Sequence, residues 1–224
     1  HRWGNPSRFE PGSGYLIRRV SYETLQFILN IMTKSRGIIC LETEWEHTSD
    51  ASRRDLNTRG LLEFIGKTLN CKIIHRTVAT KAELQFYLNQ FSKSDYKNNY
   101  NIIYFSFHGD TKSIWLEGEN EPISLDELAR LDNGNLFRDK IIHFSSCRTF
   151  IDGKANANLL SFKESVGAYM ISGYTKSVNM CRSAINDIAF FSEVFNHPVR
   201  RADIMPSYNK LYDGLANSLG FKIL

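Results

Sequence analysis

No apolar run in the 224-residue chain approaches the ~18 residues that a membrane-spanning helix needs, and its start carries no signal-peptide pattern. A membrane span and secretion are therefore not expected. Cysteine is sparse, and the four residues, Cys40, Cys71, Cys147 and Cys181, include no Cys-x-x-Cys pair. That excludes the common zinc-site spacings and gives no basis for a disulfide framework. Reduced thiols in a cytoplasm fit this usage. Charge of one sign is not concentrated either: the net charge is +4, and beyond residue 50 only Arg53-Arg54 and Arg200-Arg201 pair basic residues. Without a basic face that carries aromatics, no nucleic-acid partner is expected. The phosphate-cradling patterns Gly-x-Gly-x-x-Gly and Gly-x-x-x-x-Gly-Lys-Ser/Thr are absent, which ranks a nucleotide sensor of flavodoxin-like topology last among the functions considered.

What the chain has is length enough for one α/β domain with a sizeable core, and the apolar and charged fractions of an ordinary globular protein. It opens on His1 rather than Met, read as a processed or trimmed start. Residues 1–14, with Gly4, Pro6, Pro11, Gly12 and Gly14, read as an irregular leader, and residues 15–224 as a single domain. A short strand is expected at 15–20, then a helix from Ser21 whose Leu25, Ile28, Leu29 and Met32 make one apolar stripe. Residues 37–41 read as the first core strand, followed by a polar loop with Glu42, Glu44, Trp45, Glu46 and His47. A helix at about 58–70 and a strand at 71–75 come next. Thr80-Lys81-Ala82-Glu83 and Ser124-Leu125-Asp126-Glu127 match the capping box, in which hydroxyl and carboxylate satisfy free N–H groups at a helix start. Residues 92–99 read as a polar loop, and 114–116 and 122–123 as the arms of a hairpin around Gly118-Glu119-Asn120. Further on, 149–163 read as loop, 166–173 as a core strand, 183–196 and 206–218 as helices, and 221–224 as cover for a sheet edge. This order implies a mostly parallel sheet with helices on both faces.

Two of the apolar runs carry reactive groups. Asn101 to Asp110, NIIYFSFHGD, ends on His108-Gly109, and Lys140 to Thr149, KIIHFSSCRT, runs into Cys147. Catalytic groups in open α/β sheets gather at the carboxyl ends of the strands, so His108 and Cys147 are expected to be neighbours in space. A thiol is a useful nucleophile as thiolate, and an imidazole beside it supplies a proton acceptor. Gly109 has no side chain to block its N–H, which with the N–H of Cys147 makes a candidate oxyanion hole. The bland alternatives are a buried cysteine and a loop histidine bonded to backbone. His143, on the same strand face as Ser145 and Cys147, reads as packed under the site. His47 and His75 have no cysteine or carboxylate partner at a recognisable spacing and read as structural or surface residues; Cys40 and Cys71 read as small buried hydrophobes.

Taken together, the His108 block, the hairpin Ile114-Trp-Leu-Glu-Gly, the helix Ile123-Ser-Leu-Asp-Glu-Leu, the Cys147 block and Val166-Gly-Ala-Tyr-Met-Ile-Ser-Gly resemble the caspase-like cysteine peptidases, and among them the CHAT domain. The resemblance covers about residues 37–196 in element order. It implies a three-layer α/β sandwich, and a Cys/His endopeptidase with Cys147 as nucleophile, His108 as base and Gly109 and Cys147 as oxyanion donors. It implies no metal and no other cofactor in the chemistry. It further implies a protein substrate and a regulated role, in bacteria often defence or programmed death. With no sensor domain recognised in the chain, a separate activating protein or an activating cut is expected. The caspase pattern Gln-Ala-Cys-x-Gly is replaced by Ser145-Ser146-Cys147-Arg148-Thr149, about 40 residues after the histidine. A preference for aspartate before the cut therefore does not carry over. Ser145 stands where relatives selective for basic residues carry an acid, and Glu42 or Glu44 could pair with a substrate Arg or Lys. Asp110 and Ser145 complete the candidate substrate contacts. The alternative to an enzyme is an inactive caspase-like adaptor that binds a protein partner.

Overall fold

The computed structural model describes residues 37–44, 56–197 and 201–224, with the backbone alone for 201–203. The expected leader at 1–14, the strand at 15–20, the helix from Ser21, the loop residues Trp45, Glu46 and His47, and Arg53-Arg54 and Arg200 lie outside the described residues. In chain order the elements are β1 (Gly37–Glu42), α1 (Arg59–Thr68), β2 (Lys72–Thr77), α2 (Lys81–Phe91), α3 (Ser94–Lys97), β3 (Ile102–Ser106), β4 (His108–Asp110) and β5 (Ser113–Trp115). Then come β6 (Ile123–Ser124), α4 (Leu125–Leu131), β7 (Ile141–Phe144), α5 (Ala157–Val166), β8 (Met170–Tyr174), α6 (Met180–Asn196), α7 (Arg201–Leu219) and β9 (Phe221–Ile223).

β1, β3 and β7 are buried at every position, as strands covered on both faces must be. They form the middle of a six-stranded sheet in the order β2-β1-β3-β7-β8-β9. The first five strands are parallel, and β9 closes one edge antiparallel to β8, as expected for 221–224. Period two sorts the core. Ile39, Leu41, Ile103, Phe105, Ile142 and Phe144 meet the apolar faces of α2, α4 and α5. Ile38, Cys40, Ile102, Tyr104 and Ile141 meet α1, α6 and α7 on the other side. The result is a mixed α/β, three-layer sandwich around a mostly parallel sheet. All described residues belong to one compact unit, Lys34–Leu224. Among them, no helix is long and apolar enough to cross a membrane.

The caps behave as the pattern predicts, with one shortfall. Thr80 and Glu83 make the full reciprocal box at α2, whereas Ser124 accepts from the Glu127 N–H at α4 without a return bond from Glu127. The expected loop at 92–99 contains the single turn α3. The larger correction falls at 149–173. Its middle is a helix, α5, and the strand expected from Val166 begins only at Met170. Leu159, Phe162 and Val166 are the buried stripe. The start signal is displaced: Asn156, at the cap, is left-handed and makes no side-chain cap, and Asp152 reaches across instead. Its carboxylate accepts from the Leu159 N–H (3.0 Å), the Gly153 N–H (2.8 Å) and Asn158 Nδ2 (2.9 Å). Burial pushes this carboxyl up, but those bonds outweigh it and bring it down to about 2.

Gly167 ends α5 at φ +65, and the next two N–H-to-carbonyl bonds, Gly167 to Glu164 and Ala168 to Lys163, close the helix. An L side chain there is strained by roughly 1–2 kcal/mol. Gly167→Ala is therefore expected to lower unfolding free energy by about that amount, read by urea titration. Unchanged stability would show that the turn relaxes.

Candidate active site

β3 and β7 lie side by side, so the segments leaving their carboxyl ends emerge together. After β3 the chain does not simply stop at His-Gly. Phe107 is buried, and His108 opens β4 in a second, three-stranded antiparallel sheet, β4-β5-β6, in which His108 pairs with Trp115 and Gly109 with Ile114. The hairpin expected at 114–123 supplies the other two strands. After β7, the Ser145 N–H continues the pairing to the Phe105 carbonyl (2.8 Å), Ser145 and Ser146 are buried, and Cys147 is half-buried.

His108 and Cys147 line one cleft of about 230 Å³ together with Leu56, Ser145, Val178, Met180 and Ser183. Gly109 locks the two blocks together. A Cβ on it would stand 2.5 Å from the Cys147 carbonyl oxygen and 2.3 Å from Thr149 Oγ1, so only glycine allows this approach. Arg148, next to the sulfur, is held at φ +58, and its N–H donates to the Lys176 carbonyl (3.1 Å). The Val178 N–H donates to Cys147 Sγ (3.3 Å). The same segment is anchored at its other side, since Lys176 Nζ reaches the Asn217 carbonyl and Thr175 donates to that of Gly220. The Cys147 N–H has no acceptor among the described residues, which leaves it available to a substrate oxygen. Asp110 is exposed beside the cleft and pairs with exposed Arg148 (3.4 Å), a contact worth little in water.

Under the cleft lies a buried polar cluster. Asp187 on α6 accepts from His143 Nε2 (2.9 Å) and the Tyr174 hydroxyl (2.5 Å) at one oxygen, and from the Tyr104 hydroxyl and Ser145 Oγ (both 2.8 Å) at the other. His143 Nδ1 is 2.9 Å from Ser172 Oγ, which places this histidine in the core as its strand face predicts. Burial alone would push the Asp187 carboxyl up. The charge of His143 and the bonds from His143, Tyr174 and Tyr104 outweigh that and hold it below the ordinary carboxylate value. Burial, then the Asp187 charge, push the Tyr104 and Tyr174 phenols well up, so both remain donors.

Residues 35–224 match the family described as "Family of unknown function (DUF6642)". The chain belongs to DUF6642. No curated protein matches it.

In this DUF6642 chain the acidic candidates part company. Glu42 is not a loop residue but the last of β1, 2% exposed, and its carboxylate is already engaged. It accepts from the Thr58 N–H (2.9 and 3.1 Å) and hydroxyl (3.0 Å) at the start of α1, and from Ser106 Oγ (3.1 Å). Direct pairing with a substrate cation, the expected role, is thereby taken up by the fold. Glu44 is half-buried and does not line the cleft. His75 does have a carboxylate partner, contrary to expectation: its Nε2 lies 2.5 Å from Glu42 Oε2 across the β1/β2 pairing, in which Cys40 sits opposite His75. Cys40, Glu42 and His75 bring three ligand atoms within 4.8 Å of one another. Two ligands on a tetrahedral zinc stand ~3.3 Å apart, so the 2.5 Å contact is a hydrogen bond rather than a shared ion's edge. Burial, then the Glu42 charge, push the Cys40 thiol well up, which makes it an inert core thiol.

Leu56, Val178, Met180 and Ser183 were not candidates in the sequence. The one available signal was Asn179, whose side chain accepts from the Cys181 N–H (3.0 Å) and so starts α6 at the rim of the cleft.

Because the folded-state value of Asp187 is depressed, its contribution is complete above the unfolded carboxyl value of about 4 and is lost as pH falls through the folded one. Asp187→Asn is expected to lose about 3–5 kcal/mol at neutral pH and to show a weaker loss of stability on acidification than the unaltered chain. Urea unfolding from neutral pH to about pH 3 reads both; identical pH slopes would remove the ion from the account. Ser146 Oγ is the one buried side-chain polar atom without a partner among the described residues. Ser146→Ala is expected to raise the melting temperature by a few degrees, on the order of 1 kcal/mol; a lower melting temperature would reveal a hidden partner.

Proposed function

We propose that this DUF6642 chain is a caspase-like, CHAT-like cysteine endopeptidase. One observation carries the proposal: a histidine at the start of β4 and a cysteine in the turn after β7 line the same cleft, with a glycine wedged against the cysteine's own carbonyl where no larger residue fits.

In the proposed reaction the residues divide the work. His108 takes the thiol proton of Cys147, and the sulfur attacks the carbonyl carbon of the scissile peptide bond. The oxygen that gains charge accepts from the Cys147 N–H and, on the facing strand, from that of Gly109. His108 then gives its proton to the leaving amine, which departs as the C–N bond breaks and leaves a thioester on Cys147. Water, deprotonated by His108, attacks the thioester and releases the acid and the thiol.

The resemblance extends the proposal to the biology: a regulated effector of bacterial defence or cell death, acting on a protein substrate in a reducing cytoplasm and switched on by a second protein. Four free thiols fit such a compartment. The inactive adaptor is the outcome to test against.

Incubated with candidate protein partners, the unaltered chain is expected to cleave, and Cys147→Ala and His108→Ala to lose on the order of 10³-fold or more. With iodoacetamide, Cys147 is expected to react at least about tenfold faster than half-buried Cys71. Cleavage that survives Cys147→Ala would sink the proposal, and equal labelling of the two cysteines would favour the adaptor.

A further inference from the structure

Next to the cleft lies a smaller pocket of about 40 Å³, the two sharing Ser145, Met180 and Ser183. Thr58, Leu61, Tyr104 and Ala184 complete its lining. A single water needs roughly 10–15 Å³, so this pocket holds a group of a few heavy atoms.

Four of the lining residues carry hydroxyls, and each has committed its only proton elsewhere. Thr58 Oγ1 donates to Glu42 (3.0 Å), Tyr104 and Ser145 to Asp187 (2.8 Å each), and Ser183 to the Met180 carbonyl (3.0 Å). An ionised carboxylate and a carbonyl only accept, so each hydroxyl is the donor in its bond, and turning its proton toward a ligand would break that bond. What remains to these oxygens is lone pairs. Leu61, Met180 and Ala184 supply apolar walls, and the described lining contains no lysine or arginine.

We propose that this pocket receives the side chain of a lysine or arginine, the residue whose carbonyl Cys147 attacks. The inference rests on the peptidase proposal and specifies its substrate class. The aliphatic stem lies along Met180 and Leu61, and the N–H-rich cationic head meets hydroxyl oxygens whose own protons are already given to other acceptors. Glu42 and Asp187 act from behind, by fixing which way Thr58, Tyr104 and Ser145 donate. An aspartate head would set lone pairs against lone pairs, and an aliphatic head would leave the hydroxyls without a partner.

The test uses the full chain and peptidyl acyloxymethyl ketones that differ only in the residue beside the ketone: lysine, arginine, norleucine or aspartate. Adduct formation at Cys147 is followed by intact-protein mass, with Cys147→Ala as the blank and iodoacetamide as a probe of the thiol alone. The lysine and arginine ketones are expected to react at least about tenfold faster than norleucine, the worth of one charge-assisted hydrogen bond, with aspartate slowest. Norleucine or aspartate reacting as fast as the basic ketones overturns the substrate class and leaves the peptidase standing. Iodoacetamide modifying Cys147 while no ketone does overturns both.

Discussion

The carboxylate of Asp187 is the point on which half of this molecule is registered. Its four donors come from three strands: Tyr104 from β3, His143 and Ser145 from β7 and the residue just beyond it, and Tyr174 from β8. A buried carboxylate is costly unless all its lone pairs are satisfied, so the strands and α6 can adopt only the arrangement that brings those donors together. The cluster extends outward through Asn186, which joins the Tyr174 and Tyr208 hydroxyls and so ties α7 to the same centre. Apolar packing on this face tolerates small shifts; a fully bonded ion does not.

Glu42 plays the matching part on the same face, nearer the β2 edge of the sheet. It gathers His75 from β2, Ser106 from the end of β3 and both donors of Thr58, the N–H and the hydroxyl, at the cap of α1. A negative charge at a helix start is favoured by the helix dipole as well as by the free N–H groups. The two carboxylates thus fix the carboxyl-terminal edge of the sheet, where the chain leaves β3 and β7 carrying His108 and Cys147.

Much of this was legible in the residues. Strands such as IIYFS and IIHF declare themselves because both faces are covered, and the positions of His108 and Cys147 follow from a rule about where strands end. What stayed hidden was whatever depends on a partner remote in sequence. His75 and Glu42 are 33 residues apart and meet only because β1 and β2 run parallel in that register. Asp187 sits in a helix whose pattern is amphipathic, and nothing in the pattern says that Asn186 and Asp187 point inward. α5 was missed because its capping carboxylate, Asp152, stands several residues before the helix rather than at the cap. Glycine at 109 could be read as permissive, but its true constraint, a neighbouring carbonyl where a methyl would go, is a tertiary fact.

The short stretch between β8 and α6 has a mechanical consequence. It grips the sulfur through the Val178 N–H, holds Arg148 in its left-handed turn through the Lys176 carbonyl, and hangs by Thr175 and Lys176 from the last turn of α7 and Gly220. The thiol and the last turn of α7 are thereby joined by a tether of four residues, 175–178, so a displacement of that turn would load the sulfur's contact without any molecule entering the cleft.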